Sequence, residues 1–178
     1  MKKQIILLTV LFAATSVQAA PKSCPIHANG MGGVKIGQTL SQVKRQFPQA
    51  RFSATRDAEG ALFTAIQFNR QTEILAHIDE DTGKIDFLET FSAACKTADG
   101  IHPKMPLREV VKRWGSLKQI TMSEIEMRQF AEFPRQAKWL TVRVDGGDFS
   151  AVGDDLTLPL LTRKFSRHAK VLSLVVAK

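Results

Sequence analysis

The chain has 178 residues, 44% of them hydrophobic and 24% charged, with a formal charge of +8. Such a composition is ordinary for a globular protein of one or two small domains. The positive balance favours anionic partners, such as lipopolysaccharide, cell-wall polymers, nucleic acid or an acidic protein, and argues against a basic target.

The opening "MKKQIILLTVLFAATSVQA" has the three parts of a secretory signal peptide. Lys2 and Lys3 are the positive start, Ile5 to Ala14 the apolar run, and Val17-Gln18-Ala19 the small-x-small cleavage site. Residues 1–19 are therefore expected to be removed, and the bacterial periplasm, or secretion, is the expected destination. No later apolar run reaches the roughly 20 residues of a membrane span. Cys24 follows "PKS", without the apolar and small residues that precede a lipidated cysteine. Two cysteines in an exported chain are expected to pair, so Cys24–Cys95 is read as a structural disulfide. Closing so long a loop is worth on the order of 4 kcal/mol.

After an N-terminal arm over 20–32, residues 33–95 read as one unit, beginning "GVKIGQTLSQVKRQFP". Thr39 and Gln42 form a capping box. Leu40, Val43 and Phe47 then make the apolar stripe of a short helix, with Lys44, Arg45 and Gln46 on its wet side. Pro48 stops the helix, because the residue before a proline avoids the α conformation. "RDAEG" is a turn, and "ALFTAIQFN" alternates as a half-buried strand, Leu62, Thr64, Ile66 and Phe68 against Phe63, Ala65 and Gln67. "EILAHIDED" and "KIDFLETFS" form a hairpin around Asp81-Thr82-Gly83.

Residues 96–178 repeat this order. In "GIHPKMPLREVVKRWG" the stripe is Leu107, Val110 and Trp114, Val111 widens it, and Lys112-Arg113 takes the place of Lys44-Arg45. Pro106 stands where Thr39 stood, so a preset φ replaces the side-chain cap. Gly115 is the stop. "KQITMSEIEMRQFAEF" is expected to give one or two strands, although Ser123 and Glu126 could cap a helix instead. "KWLTVRVD" and "KVLSLVVAK" supply the remaining strands. Residues 149–169 have no counterpart in the first unit and read as an insertion. The expected fold is α+β, two tandem repeats, each a short helix followed by an antiparallel meander of three to four strands.

This layout, opened by G-V-x-I-G-x-T-L-x-x-V, resembles the β-lactamase-inhibitor-protein-like and SmpA/OmlA family of exported bacterial proteins. The likeness spans most of residues 30–178. Copy two departs from the pattern, with Lys104 in place of Gly37 and Pro106 in place of a hydroxyl residue, and the lipidated cysteine of the lipoprotein branch is missing. The resemblance implies a binding or assembly module.

No nucleophile elbow, phosphate loop or zinc-protease motif occurs. His77 lies on a strand face with Leu75 and reads as structural. His102 precedes the second helix, His27 is in the arm and His168 in a basic stretch, and no pair has metal-ligand spacing. Asp79 to Gly83 has a faint calcium-loop pattern without the closing Glu, so a hairpin turn is the better reading. Asp154-Asp155 reads as a solvated turn. No cofactor and no metal are expected.

The candidate ligand-binding residues are Lys44, Arg45, Lys112, Arg113, Arg163, Lys164 and Arg167, an electrostatic patch for an anionic ligand. Nucleic acid is not expected, since no aromatic platform is interleaved with these charges. The leading expectation is a non-enzymatic periplasmic binding protein, of inhibitor or immunity type, that meets a protein partner through its sheet face or the 149–169 insertion. The alternative is a cell-envelope module binding anionic glycan or lipid. A hydrolase with a non-local site at His77 and His102 ranks third.

Overall fold

The computed structural model describes residues 23–57, 59–123, 127–150 and 159–178. The expected signal segment and residues 151–158 of the insertion, Asp154-Asp155 among them, lie outside them. The fold is α+β, and the described residues form two sheets and two short helices.

The arm is a strand, β1 (Cys24–His27), which turns back through β2 (Gly30–Met31) and β3 (Val34–Lys35). With β8 (Cys95–Lys96) these form a small sheet in the order β3-β2-β1-β8. Cys24 and Cys95 are register partners across the parallel β1/β8 pair and form a disulfide, 71 residues apart in sequence. The bridge fixes the arm to the middle of the chain.

α1 (Leu40–Gln46) starts as its sequence dictates. The Gln42 amide donates to the Thr39 hydroxyl at 3.3 Å, and the Thr39 amide donates to the Gln42 side chain at 2.8 Å. Val43 and Phe47 are buried, and the Phe47 ring meets Phe68 edge-on at 4.9 Å. After α1 come β4 (Arg51–Arg56), β5 (Leu62–Asn69), β6 (Thr72–Ile78) and β7 (Ile85–Thr90), each antiparallel to the next. β4 escaped the sequence reading because "RFSATR" offers only Phe52 and Ala54 as apolar residues, too few for a period. It is an edge strand with little to bury.

α2 (Leu107–Trp114) buries Leu107, Val110 and Trp114, the expected stripe, and Trp114 packs against Phe133 at 5.8 Å. β9 (Gln119–Met122) and β10 (Gln129–Glu132) pair antiparallel, so the strand reading of this stretch holds over those residues. β11 (Leu140–Gly147) follows, then β12 (Leu160–Thr162), which edges β9, and β13 (Phe165–Ala177). β13 is longer than expected. Its first five residues come from the insertion, and irregularities between Arg143/Val144 and Asp145/Gly147 let β11 follow it.

β7 and β13 pair antiparallel, Leu88 opposite Val176 and Thr90 opposite Leu174. One nine-stranded sheet results, in the order β12-β9-β10-β11-β13-β7-β6-β5-β4. Its helix-covered face supplies the main core, with Ile66, Ile74, Leu88, Ile120, Val142, Leu174 and Val176 packed in one cluster with Val43, Val110 and Trp114.

The chain enters both helices by the same backbone route. The Gly37 amide donates to the Ile85 carbonyl at 2.7 Å, and the Ile85 amide to the Gln38 carbonyl at 2.8 Å. Ahead of α2 the Lys104 amide donates to the Val171 carbonyl at 2.7 Å, and the Val171 amide to the Met105 carbonyl at 2.9 Å. Both geometries need a positive φ, 86° at Gly37 and 71° at Lys104. Glycine meets this without strain, whereas a side chain there costs about 1–2 kcal/mol. Lys104→Gly also loosens the unfolded chain, an opposing effect of about 0.5–1 kcal/mol. The strain is the larger, so Lys104→Gly is expected to stabilise the fold by about 0.5–1 kcal/mol. Urea midpoints of the two proteins check this, and a destabilised variant contradicts it.

Candidate functional site: the helix-free face of the sheet

Strand periodicity sends alternate residues away from the helices, and the register aligns them in rows. One row crosses Ser53, Ala65, Leu75, Glu89, Val175 and Thr141. With no helix over it, this face would be expected to be wet. Its centre is not: Phe63, Ala65, Glu89, Ser173 and Val175 are 8%, 7%, 4%, 0% and 5% exposed. The half-buried strand expected at β5 is thus buried on both faces over Phe63 to Ile66. Towards the edges Ser53, Glu73, Thr141 and Leu161 are exposed.

The reason is curvature. Arg128, at the β9–β10 hairpin, forms ion pairs with Asp57, at 3.1 Å, and with Glu59, both in the β4–β5 turn. Four strands separate β5 from β10 in the sheet, which if flat would hold them about 24 Å apart. An ion pair across that gap requires the sheet to curl, and the central burial places the concave side on the helix-free face. Burial pushes the Asp57 carboxyl up, but hydrogen bonds from Arg128 and from the Ala61 amide outweigh it and hold the group below the usual carboxylate range.

Three strands meet at a buried charge cluster in this concavity. Glu89 of β7 accepts from Arg143 Nη1 of β11 at 2.6 Å and from the Ser173 hydroxyl of β13. The two charged side chains are only 6% and 14% exposed. The Arg143 guanidinium lies 5.8 Å over the ring of Phe91, which is exposed, and its buried Nε has no partner among the described residues. Beside the cluster, Phe63 contacts His77 and Phe87 with ring centroids 5.7 and 5.8 Å apart. Asp86 Oδ1 lies 2.7 Å from His77 Nδ1. The sequence reading passed over Glu89, Arg143 and Phe91. In "FLETFS" and "LTVRVD" each looked like an ordinary outward residue, and only the pairing order brings them together.

The sequence-predicted basic residues fall on three separate elements. On α1, Lys44 lies 5.5 Å over the Phe52 ring, and Arg45 is exposed. On α2, Lys112 pairs with Glu109 at 2.9 Å. Arg113 donates to the Asp99 carbonyl at 2.8 Å, where Gly100 leaves room for it, so its charge ties down the loop before α2. At the β12–β13 corner, Arg163 donates to the Lys118 carbonyl at 3.1 Å, Arg167 donates to His168 at 2.9 Å, and Lys164 is exposed.

His77 and His102 each have their own local partner. His102 Nδ1 lies 2.7 Å from the Pro103 carbonyl, which can only accept, so Nδ1 carries the proton. Asp79 accepts from the Thr82 hydroxyl and amide at 2.6 and 2.8 Å, bonds that hold its carboxyl low and close a hairpin turn. A cleft of about 720 Å³ beside that turn is lined by Asp79, Lys84, Asp86 and Lys178, of mixed charge. Among the described residues no group of three or more His, Cys, Asp and Glu side chains is arranged to hold a metal ion, and no helix is long and apolar enough to cross a membrane.

Removing the Arg128 guanidinium is expected to cost about 1–2 kcal/mol at neutral pH, the scale of charge-assisted hydrogen bonds. Because the Asp57 pKa is depressed on folding, its contribution is complete above the unfolded value of about 4 and is lost as the pH falls below it. The cost of Arg128→Ala, read from urea midpoints, is therefore expected to shrink between pH 7 and pH 3. An unchanged cost contradicts the electrostatic account of the bridge.

No protein-family model matches the chain, and no curated protein matches it in sequence. Among solved structures, the crystal structure of the uncharacterized protein YfeY from Escherichia coli is similar, with a TM-score of 0.52 and 10% sequence identity. The similarity covers 88% of this chain and 100% of that one, and at such identity it shows a shared fold alone.

Proposed function

We propose that this is an exported, non-enzymatic binding protein that holds a protein partner in the concave, helix-free face of its sheet. The observation that supports it is a dished surface whose buried centre sets the Glu89–Arg143 pair among apolar side chains, with an exposed rim that includes Phe91, 39% exposed, and Leu161, 53% exposed. Interfaces place aromatic and arginine side chains in such desolvated centres and leave polar residues around them. The disulfide, the Arg128 bridge and the continuous sheet preorganise the dish, which lowers the ordering cost of binding. A partner loop seated there would meet the Phe91 ring and the Arg143 head together.

The reading takes the two chain halves as copies of one helix-plus-meander unit, brought edge to edge so that neither alone forms the dish. The shared route into α1 and α2 supports this, as does the G-V-x-I-G-x-T-L-x-x-V resemblance to the β-lactamase-inhibitor-protein-like and SmpA/OmlA family. An inhibitor or immunity-type role, in the periplasm, is the form of binding it suggests. An anionic glycan or lipid partner is the second reading, supported by the exposed Lys164 and Arg167 at the β12–β13 corner.

Photo-crosslinking separates them. Benzoylphenylalanine in place of Phe91 or of Leu161 is expected to give one discrete protein adduct in cells, and the same group in place of Arg45 none. No adduct from the dish, or equal adducts from Arg45, overturns the proposal. Salt-sensitive binding to anionic vesicles or glycan that charge reversal at Arg163, Lys164 and Arg167 abolishes would favour the second reading.

A further inference from the structure

On the helix side of the sheet, away from the dish, a pocket of about 310 Å³ opens between β1, the 97–99 loop, the end of α2 and the segment leading into β11. Its floor is Ile26, Trp114 and Leu140, each 2–3% exposed, and Trp139 forms part of the wall. Small apolar pockets with a few convergent polar groups are the usual form of a ligand site. Both of the chain's two tryptophans line this one.

Asp99, Arg135 and the imidazole of His27 line it, and the acidic and the guanidinium group are not equivalent. Asp99 is already engaged, since it accepts from the Thr97 hydroxyl at 2.6 Å and from the Trp114 indole N–H, and the Arg113 head bonds its carbonyl. Burial would raise the Asp99 carboxyl, yet those two side-chain donors hold it below its ordinary range, so it is a fixed charge balanced by Arg113. Arg135 is different. Its amide donates to the Trp114 carbonyl at 3.2 Å and its Nη1 to the Arg113 carbonyl at 3.3 Å, which anchors it at the end of α2. The residue is nevertheless exposed. With Asp99 offset by Arg113, the Arg135 guanidinium is the uncompensated charge of the pocket, a planar fork of donors suited to a carboxylate.

We propose that this pocket binds a small apolar carboxylate, an aryl or medium-chain acyl acid, with its body against Trp114 and Trp139 and its carboxylate on Arg135. A free sugar fits poorly, because sugars need many hydrogen bonds and the polar groups here are few and mostly engaged. A cationic ligand would meet the Arg135 head. The site is independent of the partner-binding dish, and its failure would leave that proposal untouched.

The chain contains no tyrosine, so the emission of Trp114 and Trp139 reports on this pocket alone. The mature protein is titrated with octanoate, with octanol and with octylammonium. Octanoate is expected to shift the emission saturably with about tenfold higher affinity than octanol, the scale of one charge-assisted contact, and octylammonium to have no effect. Arg135→Gln is expected to remove the tenfold preference and leave octanol binding unchanged. Absence of a saturable octanoate shift, equal affinity for octanoate and octanol, binding of octylammonium, or a preference that survives Arg135→Gln each overturns the proposal. Should the variant fail to fold, the octanoate-to-octanol ratio of the unaltered protein decides.

Discussion

The antiparallel pairing of β7 with β13 is the constraint on which the rest depends. Without it, β7 and β13 would both be sheet edges, unpaired donors and acceptors that invite aggregation. With it, four strands from one half of the chain and five from the other become one surface with one core. The Glu89–Arg143–Ser173 cluster spans this junction and the next strand over. A buried ion pair is weak evidence for net stability, since desolvation offsets most of the attraction. Its effect on register is clearer. Slipping β7 by one residue against β13 would turn Glu89 towards the apolar core and strand Arg143 without its carboxylate, a penalty no slipped alignment repays.

Curvature follows from the same junction. Nine right-twisted strands in one sheet coil on themselves, and the two hairpin ends that approach are joined by Arg128 to Asp57 and Glu59. The helices and the disulfide-linked small sheet occupy the convex side, and among the described residues no helix covers the concave side. Division of labour between the faces results. Charges such as those of Arg113 and Arg163 are engaged in holding loops, while the concave face keeps an exposed aromatic ring and a partly satisfied arginine.

How far the sequence revealed this depended on how local each feature is. Capping at Thr39 and Gln42, the stripes Val43/Phe47 and Leu107/Val110/Trp114, and the Asp79–Gly83 turn are settled within a few residues, and all were legible. The cysteine pair was legible because a chain with only two cysteines, and no Cys-x-x-Cys or His beside them, offers one pairing. β2, β3 and β8 have two residues each, too few to show a period, and β4 has only Phe52 and Ala54 to show one. The burial of Phe63 and the meeting of Glu89 with Arg143 depend on strand order, which no local pattern encodes. The basic helix faces were visible as charge, but whether each charge was free or engaged depended on carbonyls elsewhere in the chain, such as that of Asp99 for Arg113.

Native-state hydrogen exchange tests the central claim most directly. If the β7–β13 pairing makes one cooperative sheet, amides of β7 and β13 exchange only through global unfolding, with the same opening free energy as those of β5 and β11. Junction amides that exchange at a lower free energy, with the two halves opening separately, would contradict the account.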